Sequence, residues 1–298
     1  MIRIFLIFVL WGAALRGAER HALVLQSDFG VKDGAVAAMK GVAVGVDLSL
    51  PIFDLSHANT PYDIWEAAYR LKQTVAYWPA GTVFVSVIDP GVGTDRKSVV
   101  LKTKSGHYLV SPDNGTLTLV AEDLGIEAVR RIDETRNRLA GSDRSYTFHG
   151  RDVYAYTGAR LAAGKIAFED VGPLLPTDVV RLPYEKARRE GDAVVGTVAM
   201  LDFNYGNVWT NIPDELFQGL QPQPGTRFRV VIAEGAKVVF DAPVPFARTF
   251  GEVPEGALVL YLNSLLNVAV ALNMGDFAAK YGVRAGGPWS VRLETVKP

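Results

Sequence analysis

Hydrophobic patterning changes once along this chain, and that change limits the folds open to it. Up to about residue 180, short apolar runs alternate with segments of helical period. His21 to Gln26, Pro51 to Ser56, Gly81 to Ile88 and Ser98 to Leu101 read as strands. Gly34 to Val42 reads as a helix with Asp33 at its N-cap. A second helix is expected from Thr60, with Pro61 in its first position and Trp65, Ala68, Tyr69 and Lys72 at helical spacing. This alternation predicts an α/β domain with a largely parallel sheet. Arg181 to Asp192 is charged and interrupted by Pro, the pattern of a linker or domain edge. Beyond it Val194 to Leu201, Phe228 to Ile232, Lys237 to Phe240, Leu258 to Leu262 and Ser290 to Val296 are short strand candidates between Gly and Pro turns. They predict a small β-barrel or sandwich, with Ser264 to Tyr281 as a helix-containing excursion. The expected division is an α/β domain over 19–185 and a β-barrel domain over 190–298.

The first 18 residues follow another pattern. Arg3 supplies a positive charge, and Ile4 to Leu15 is apolar. A run of about a dozen residues is too short to span a bilayer but suits a signal peptide. Residues 1–18 are therefore expected to direct export to the periplasm or beyond; without a working signal the chain stays cytoplasmic. Of the 298 residues 49% are hydrophobic and 21% charged, enough apolar material for a packed core. The 31 basic residues barely balance 32 acidic ones, so no surplus exists to neutralise a phosphate backbone, and no nucleic-acid partner is expected. The absence of cysteine excludes disulfides, thiolate zinc sites and thiol nucleophiles. Acidic and His residues do not cluster at ligand spacings, so neither metal nor cofactor is expected.

Four segments carry polar groups suited to chemistry. Ser27-Asp28-Phe29-Gly30 ends the first strand, where ligands of α/β sheets collect, and the two acceptor oxygens of Asp28 match a ribose diol. A simple Asx-turn is the plainer reading. Ile88-Asp89-Pro90-Gly91 to Arg96 reverses sharply between strands and can bring Arg96 onto Asp89, where it stabilises the carboxylate and sets its direction. A hairpin with a structural ion pair fits as well. Thr147-Phe148-His149-Gly150-Arg151-Asp152 precedes a helix (Val153 to Ala163), so His149 either handles a proton or belongs to a capping cluster begun by Asp152. Asp202 to Asn211 crowds a turn with recognition groups. Asn207 offers donor and acceptor to an adenine edge, and Tyr205 and Trp209 offer aromatic faces.

In order and wording, SDFG, the NTPYDI segment, VIDPGVGTDR, SPDNG, TFHGRD, DFNYGNVWTN and the late YLNS resemble the S-adenosyl-L-methionine hydroxide adenosyltransferase family, from about His21 to the C-terminus. The resemblance implies an N-terminal α/β domain, a C-terminal β-barrel and a homotrimer with active sites between subunits. It implies hydrolysis of S-adenosyl-L-methionine to adenosine and methionine by attack of water at C5′. Asp28 would hold the ribose diol with Tyr62 near the sugar and Thr147 close by. Asn207 and Trp209 would meet adenine, while Asp202 and Ser264 would hold the methionine end. Halogenating relatives carry Tyr at the place of Asp89 and Ser at that of Gly150. This chain instead carries Asp89, Arg96 and His149, which resemble the catalytic set expected of the water-using branch and would make halide a poor nucleophile, because a fixed carboxylate repels an anion but orients water. Leu265 stands where those halogenating relatives carry Arg. Two other readings are an exported, non-catalytic nucleoside- or S-adenosylmethionine-binding protein, and an enzyme of the same fold with another nucleophile or adenosyl substrate.

Overall fold

The computed structural model describes residues 20–296, so the expected signal peptide lies outside the described residues. The chain divides into two compact units between Leu182 and Pro183.

The first unit runs β1 (Leu23–Ser27), α1 (Ala35–Val46), β2 (Ile52–Ser56), α2 (Ile64–Thr74), β3 (Val83–Val87), β4 (Ser98–Thr103), β5 (Tyr108–Pro112), α3 (Thr118–Asp123), β6 (Ile126–Arg131), α4 (Tyr156–Ala162) and β7 (Leu174–Leu175). Its strands form one seven-stranded sheet in the order β2-β1-β3-β5-β4-β6-β7. The first four are parallel. The last three run antiparallel to their neighbours, so the sheet is mixed.

Alternate residues of the central strands feed two cores. Leu23, Leu25, Val83, Val85 and Val87 pack with Met39 and Ala43 of α1 and Ala159 and Ala162 of α4. Val24 and Phe84 point the other way, toward Leu71 of α2 and Val120 of α3. A sheet covered on both faces explains why these strands read as unbroken apolar runs.

Two helix starts differ from expectation. The N-cap of α1 is Gly34; Asp33 instead accepts from the Ala35 amide at 2.9 Å. The start of α2 is not at Thr60, because Tyr62 takes a left-handed φ of 69° that interrupts the helix. Asp63 is the cap and accepts from the Glu66 amide.

The second unit contains β8 (Arg188–Glu190), β9 (Ala193–Gly196), β10 (Val198–Asp202), β11 (Asn207–Pro213), α5 (Asp214–Gln218), β12 (Arg227–Glu234), β13 (Lys237–Pro245), β14 (Leu258–Leu262), β15 (Asn267–Leu272), α6 (Phe277–Tyr281) and β16 (Trp289–Thr295). Two antiparallel sheets result, β10-β11-β15-β14 and β13-β12-β16-β9-β8. They share one core, with Val208, Leu260 and Val270 from the first sheet against Phe228, Ile232 and Leu293 from the second. Among the described residues the strand pairing consists of these two antiparallel ladders. Part of the expected linker is strand β8, and part of the expected helical excursion is strand β15.

Helix α4 lies close on β3, because Gly158 lacks a Cβ where one would overlap Val85 Cγ2. Gly158→Ala is therefore expected to cost about 1–3 kcal/mol through overpacking. The urea midpoint of unfolding measures this, and an unchanged midpoint would show that α4 can shift off the sheet freely.

Candidate active site

The carboxyl ends of β1 and β3 gather the first unit's polar motifs. After β1, the Gly30 amide donates to the His57 carbonyl at 2.8 Å, and Asn59 Nδ2 donates to the Ser27 carbonyl at 3.1 Å. The strained turn at Tyr62 sets its amide N–H 2.9 Å from Asp28 Oδ2. The NTPYDI segment is thus folded directly onto SDFG, and the Tyr62 ring is left 72% exposed. Beneath them a relay runs from Ser27 Oγ to His57 Nδ1 (2.7 Å), from His57 Nε2 to Asp54 (3.1 Å) and from Asp54 to Lys40 (2.7 Å). Ser27 is fully buried, so this is a support and not a nucleophile.

The loop after β3 is not a hairpin. Strand β5 lies between β3 and β4, and the loop passes its end, where Asn114 Nδ2 holds the Ile88 carbonyl at 2.8 Å. Arg96 grips Asp89 through Nε (2.9 and 3.0 Å) and Nη2 (2.6 Å), with the two side chains only 10% and 6% exposed. The same Nη2 reaches His149 Nδ1 at 2.9 Å, and Nη1 reaches Ser98 Oγ at 3.1 Å. Ser98 in turn meets the Tyr154 hydroxyl at 3.1 Å. Burial pushes that phenol well above its usual range.

His149 opens a helical stretch whose first turn, Gly150–Ala155, is a π-helix, a local irregularity frequent at functional sites. A Cβ on Gly150 would stand 3.0 Å from the Phe29 ring and 3.2 Å from Val87, so glycine lets this helix start sit against both strand ends. Phe148 packs edge-on against Phe29 at 5.6 Å. Asp152 does not cap the helix; it is buried and paired with Arg151 at 2.6 and 3.0 Å. Thr147 is exposed, with its hydroxyl 3.2 Å from Ser145. Burial leads in holding the His149 imidazole below its ordinary range. Glu134 and Asp89 pull it up; Arg96 and Arg138 push it down.

In the second unit a cavity of about 840 Å³ is lined by Asp202, Asn207, Trp209 and Ser264 together with Phe250 and Tyr261. The Tyr205 and Gly206 amides both donate to the Asp202 carbonyl, forming the expected turn, but Asn207–Pro213 is strand β11. Asn207 Nδ2 lies 3.3 Å from Asp202 Oδ2, and Trp209 Nε1 donates to the Tyr261 hydroxyl at 3.3 Å. Burial, ahead of opposing hydrogen bonds, pushes the Tyr261 phenol up to about 12.

The sequence-expected residues therefore fall into two groups, Asp28, Tyr62, Asp89, Arg96, Thr147 and His149 in one unit and Asp202, Asn207, Trp209 and Ser264 in the other. Ser98, Arg138, Tyr154, Phe250 and Tyr261 were not foreseen; the first four lie in no segment with a distinctive local pattern, while Tyr261 opens the YLNS motif that had pointed to Ser264. Among the described residues no cluster of three or more His, Asp or Glu side chains is arranged to hold a metal ion. No helix among them is long and apolar enough to cross a membrane.

Comparison with known proteins agrees in both units. Residues 23–172 match the model of the SAM hydroxide adenosyltransferase N-terminal domain, and residues 196–290 match that of the C-terminal domain. An (R)-S-adenosyl-L-methionine hydrolase from Salinispora tropica is 38% identical over 262 residues, covering 87% of this chain and 93% of its own. A fluorinase from Nocardia brasiliensis is 30% identical over 293 residues, covering 90% and 95%. A crystal structure described as an uncharacterized conserved protein from Thermotoga maritima superimposes with a TM-score of 0.85 at 33% identity, covering 91% and 99%.

His57 shares the depressed basicity of His149, again with burial first and Asp54 opposing it. Each imidazole binds protons less readily folded than unfolded, so stability is full above the ordinary value of about 6.5 and is lost as pH falls below it. Asp54 and Asp133, held below their usual 3.8, add losses only at still lower pH. Denaturation midpoints are expected to fall between about pH 6.5 and 5, with a shallower slope in His57→Gln. A flat profile over that window would contradict the burial of these rings as neutral groups.

Proposed function

The chain belongs to the SAM hydroxide adenosyltransferase family, and from that premise we propose that it hydrolyses S-adenosyl-L-methionine to adenosine and L-methionine by attack of water at C5′. The observation that carries the reading is the contact set of Asp89, Arg96 and His149 beside Asp28 at the carboxyl ends of β1 and β3. A protein that only held adenosine has no use for it.

The reaction needs alignment more than acid catalysis. C5′ bears a sulfonium, so methionine departs as a neutral thioether and requires no proton. In-line placement of water and C5′ can contribute roughly 7–11 kcal/mol. Arg96 holds the Asp89 carboxylate in one direction, leaving it lone pairs to accept from a water molecule. A carboxylate of pKa about 4 does not remove a proton from free water at about 15.7, so Asp89 orients the water and takes its proton late, as the C–O bond forms. Asp28 accepts from the ribose diol with Tyr62 near the sugar and Thr147 close by, Asn207 and Trp209 meet adenine, and Asp202 and Ser264 hold the methionine end.

The proposal extends to a homotrimer with active sites between subunits, supported by the placement of the diol and adenine ligands in different units of the chain. It also includes closure of the two C-terminal sheets as a small barrel and export directed by residues 1–18. Light scattering of the purified chain and N-terminal sequencing of material from the periplasm test the trimer and the export.

Incubation with S-adenosyl-L-methionine in oxygen-18 water is expected to yield free methionine and adenosine labelled at its 5′ oxygen. Intact substrate recovered on the protein would replace this reading by that of a binding protein. Asp89→Asn is expected to lower kcat by on the order of 100-fold or more while KM changes little. An unchanged kcat would remove Asp89 from the chemistry.

A further inference from the structure

Both ring nitrogens of His149 face a guanidinium. Arg96 Nη2 is 2.9 Å from Nδ1, and Arg138 Nη2 is 3.3 Å from Nε2. A guanidinium only donates, whereas a neutral imidazole has one acceptor nitrogen and one N–H. The neutral ring therefore satisfies one arginine, and a protonated ring satisfies neither. The shorter contact assigns the acceptor to Nδ1 and the N–H to Nε2, which then faces Arg138.

Arg138 has only one long ion pair among the described residues. Its side chain is 9% exposed, its nearest carboxylate is Glu134 at 3.7 Å, and its guanidinium lies over the Tyr146 ring at 4.6 Å. Its Nη1 is buried without a hydrogen-bond partner among the described residues. A buried cation with an unpartnered N–H is a cost to folding. Here that cost accompanies a second positive charge against one imidazole. The charged groups around the ring are Arg96 and Arg138 on one side of the balance and Asp89 and Glu134 on the other, with the Tyr146 ring edge-on to the imidazole.

We propose that Arg138 is a positioning residue that keeps His149 a neutral acceptor, so that the proton of the attacking water passes to Asp89 and not to the imidazole. This rests on the hydrolase reading for its catalytic half. In that step the water oxygen bonds to C5′, the C5′–S bond breaks with its electron pair going to sulfur, and the water proton moves to the Asp89 carboxylate and then to solvent. The neutral ring serves to hold Arg96, which holds Asp89.

The test is a titration of the full chain labelled with carbon-13 histidine, with the His149 signal assigned through His149→Gln. Removing the charge in Arg138→Met is expected to raise the His149 pKa by about one unit, while Arg138→Lys stays near the parent. The acid limb of the kcat profile should move up by the same amount, about a tenfold loss of kcat on that limb, with KM changed far less. If Arg138→Met does not fold, Arg138→Gln removes the charge and keeps a donor. A His149 titration unmoved in a folded, charge-removed variant overturns the proposal. A shifted titration in a chain that hydrolyses nothing supports the hold of Arg138 on the ring and overturns the hydrolase reading instead.

Discussion

The buried pair of Asp89 and Arg96 joins segments that the chain brings from three places, the end of β3, the start of β4 and the helix opening at His149. Such a pair adds little net stability, because desolvation consumes most of the Coulombic gain. Losing one partner is a different matter and strands a charge at a cost of about 3–5 kcal/mol. The pair is thus better understood as a constraint than as a source of stability. Once Arg96 lies along Asp89, its remaining N–H groups determine where Ser98 and His149 must sit. Tyr154 follows Ser98, and Arg138 meets the far side of the imidazole.

Departures from local preference collect around this constraint. Tyr62 has a left-handed backbone, and residues Gly150–Ala155 form a π-helix. Gly150 permits an approach to Phe29 that a Cβ would crowd, and Arg138 keeps a buried N–H unpartnered. Each is a small cost, of the kind that persists where surrounding packing over-determines it and that gathers at functional sites. The packing is present in the two cores that clamp β1 and β3 on both faces.

Legibility in the sequence followed the same division. β1, β3 and β14 were visible because buried strands with turn residues at their ends announce themselves locally, and β2, which is not buried, was marked by its short apolar run after Pro51. The antiparallel direction of β4 was not, since a strand covered on both faces reads the same whichever way it runs. The start of α2 was misplaced because Thr-Pro-Tyr-Asp suits a helix start at Thr60, and only the Tyr62 amide bound to Asp28 requires a later one. β11 and β15 were hidden by polar and small residues whose role is tertiary. In the first unit, Asp89, Arg96 and His149 stood in distinctive phrases, and the fold brings the three side chains into contact. Arg138 lies in an unremarkable basic stretch and matters only through a contact made across the fold, which no local pattern encodes.

Charge alone would not explain the proposed preference for water at Asp89. Repulsion of an anion by a fixed carboxylate is the simplest argument from sequence, yet Arg96 lies along both carboxylate oxygens and cancels much of the field. What survives cancellation is directionality. The carboxylate keeps acceptor lone pairs that call for a donor, and water brings two O–H donors where a halide brings none. A halide in that place would leave a buried acceptor facing another acceptor, and sites built around a hydroxyl reject ligands lacking one by about 10⁴–10⁵-fold. On this view the arginine that weakens electrostatic exclusion of halide also creates the rigid acceptor that selects water. If Asp89 has the proposed role, exchanging the carboxylate for a side chain without that acceptor is expected to weaken the selection of water.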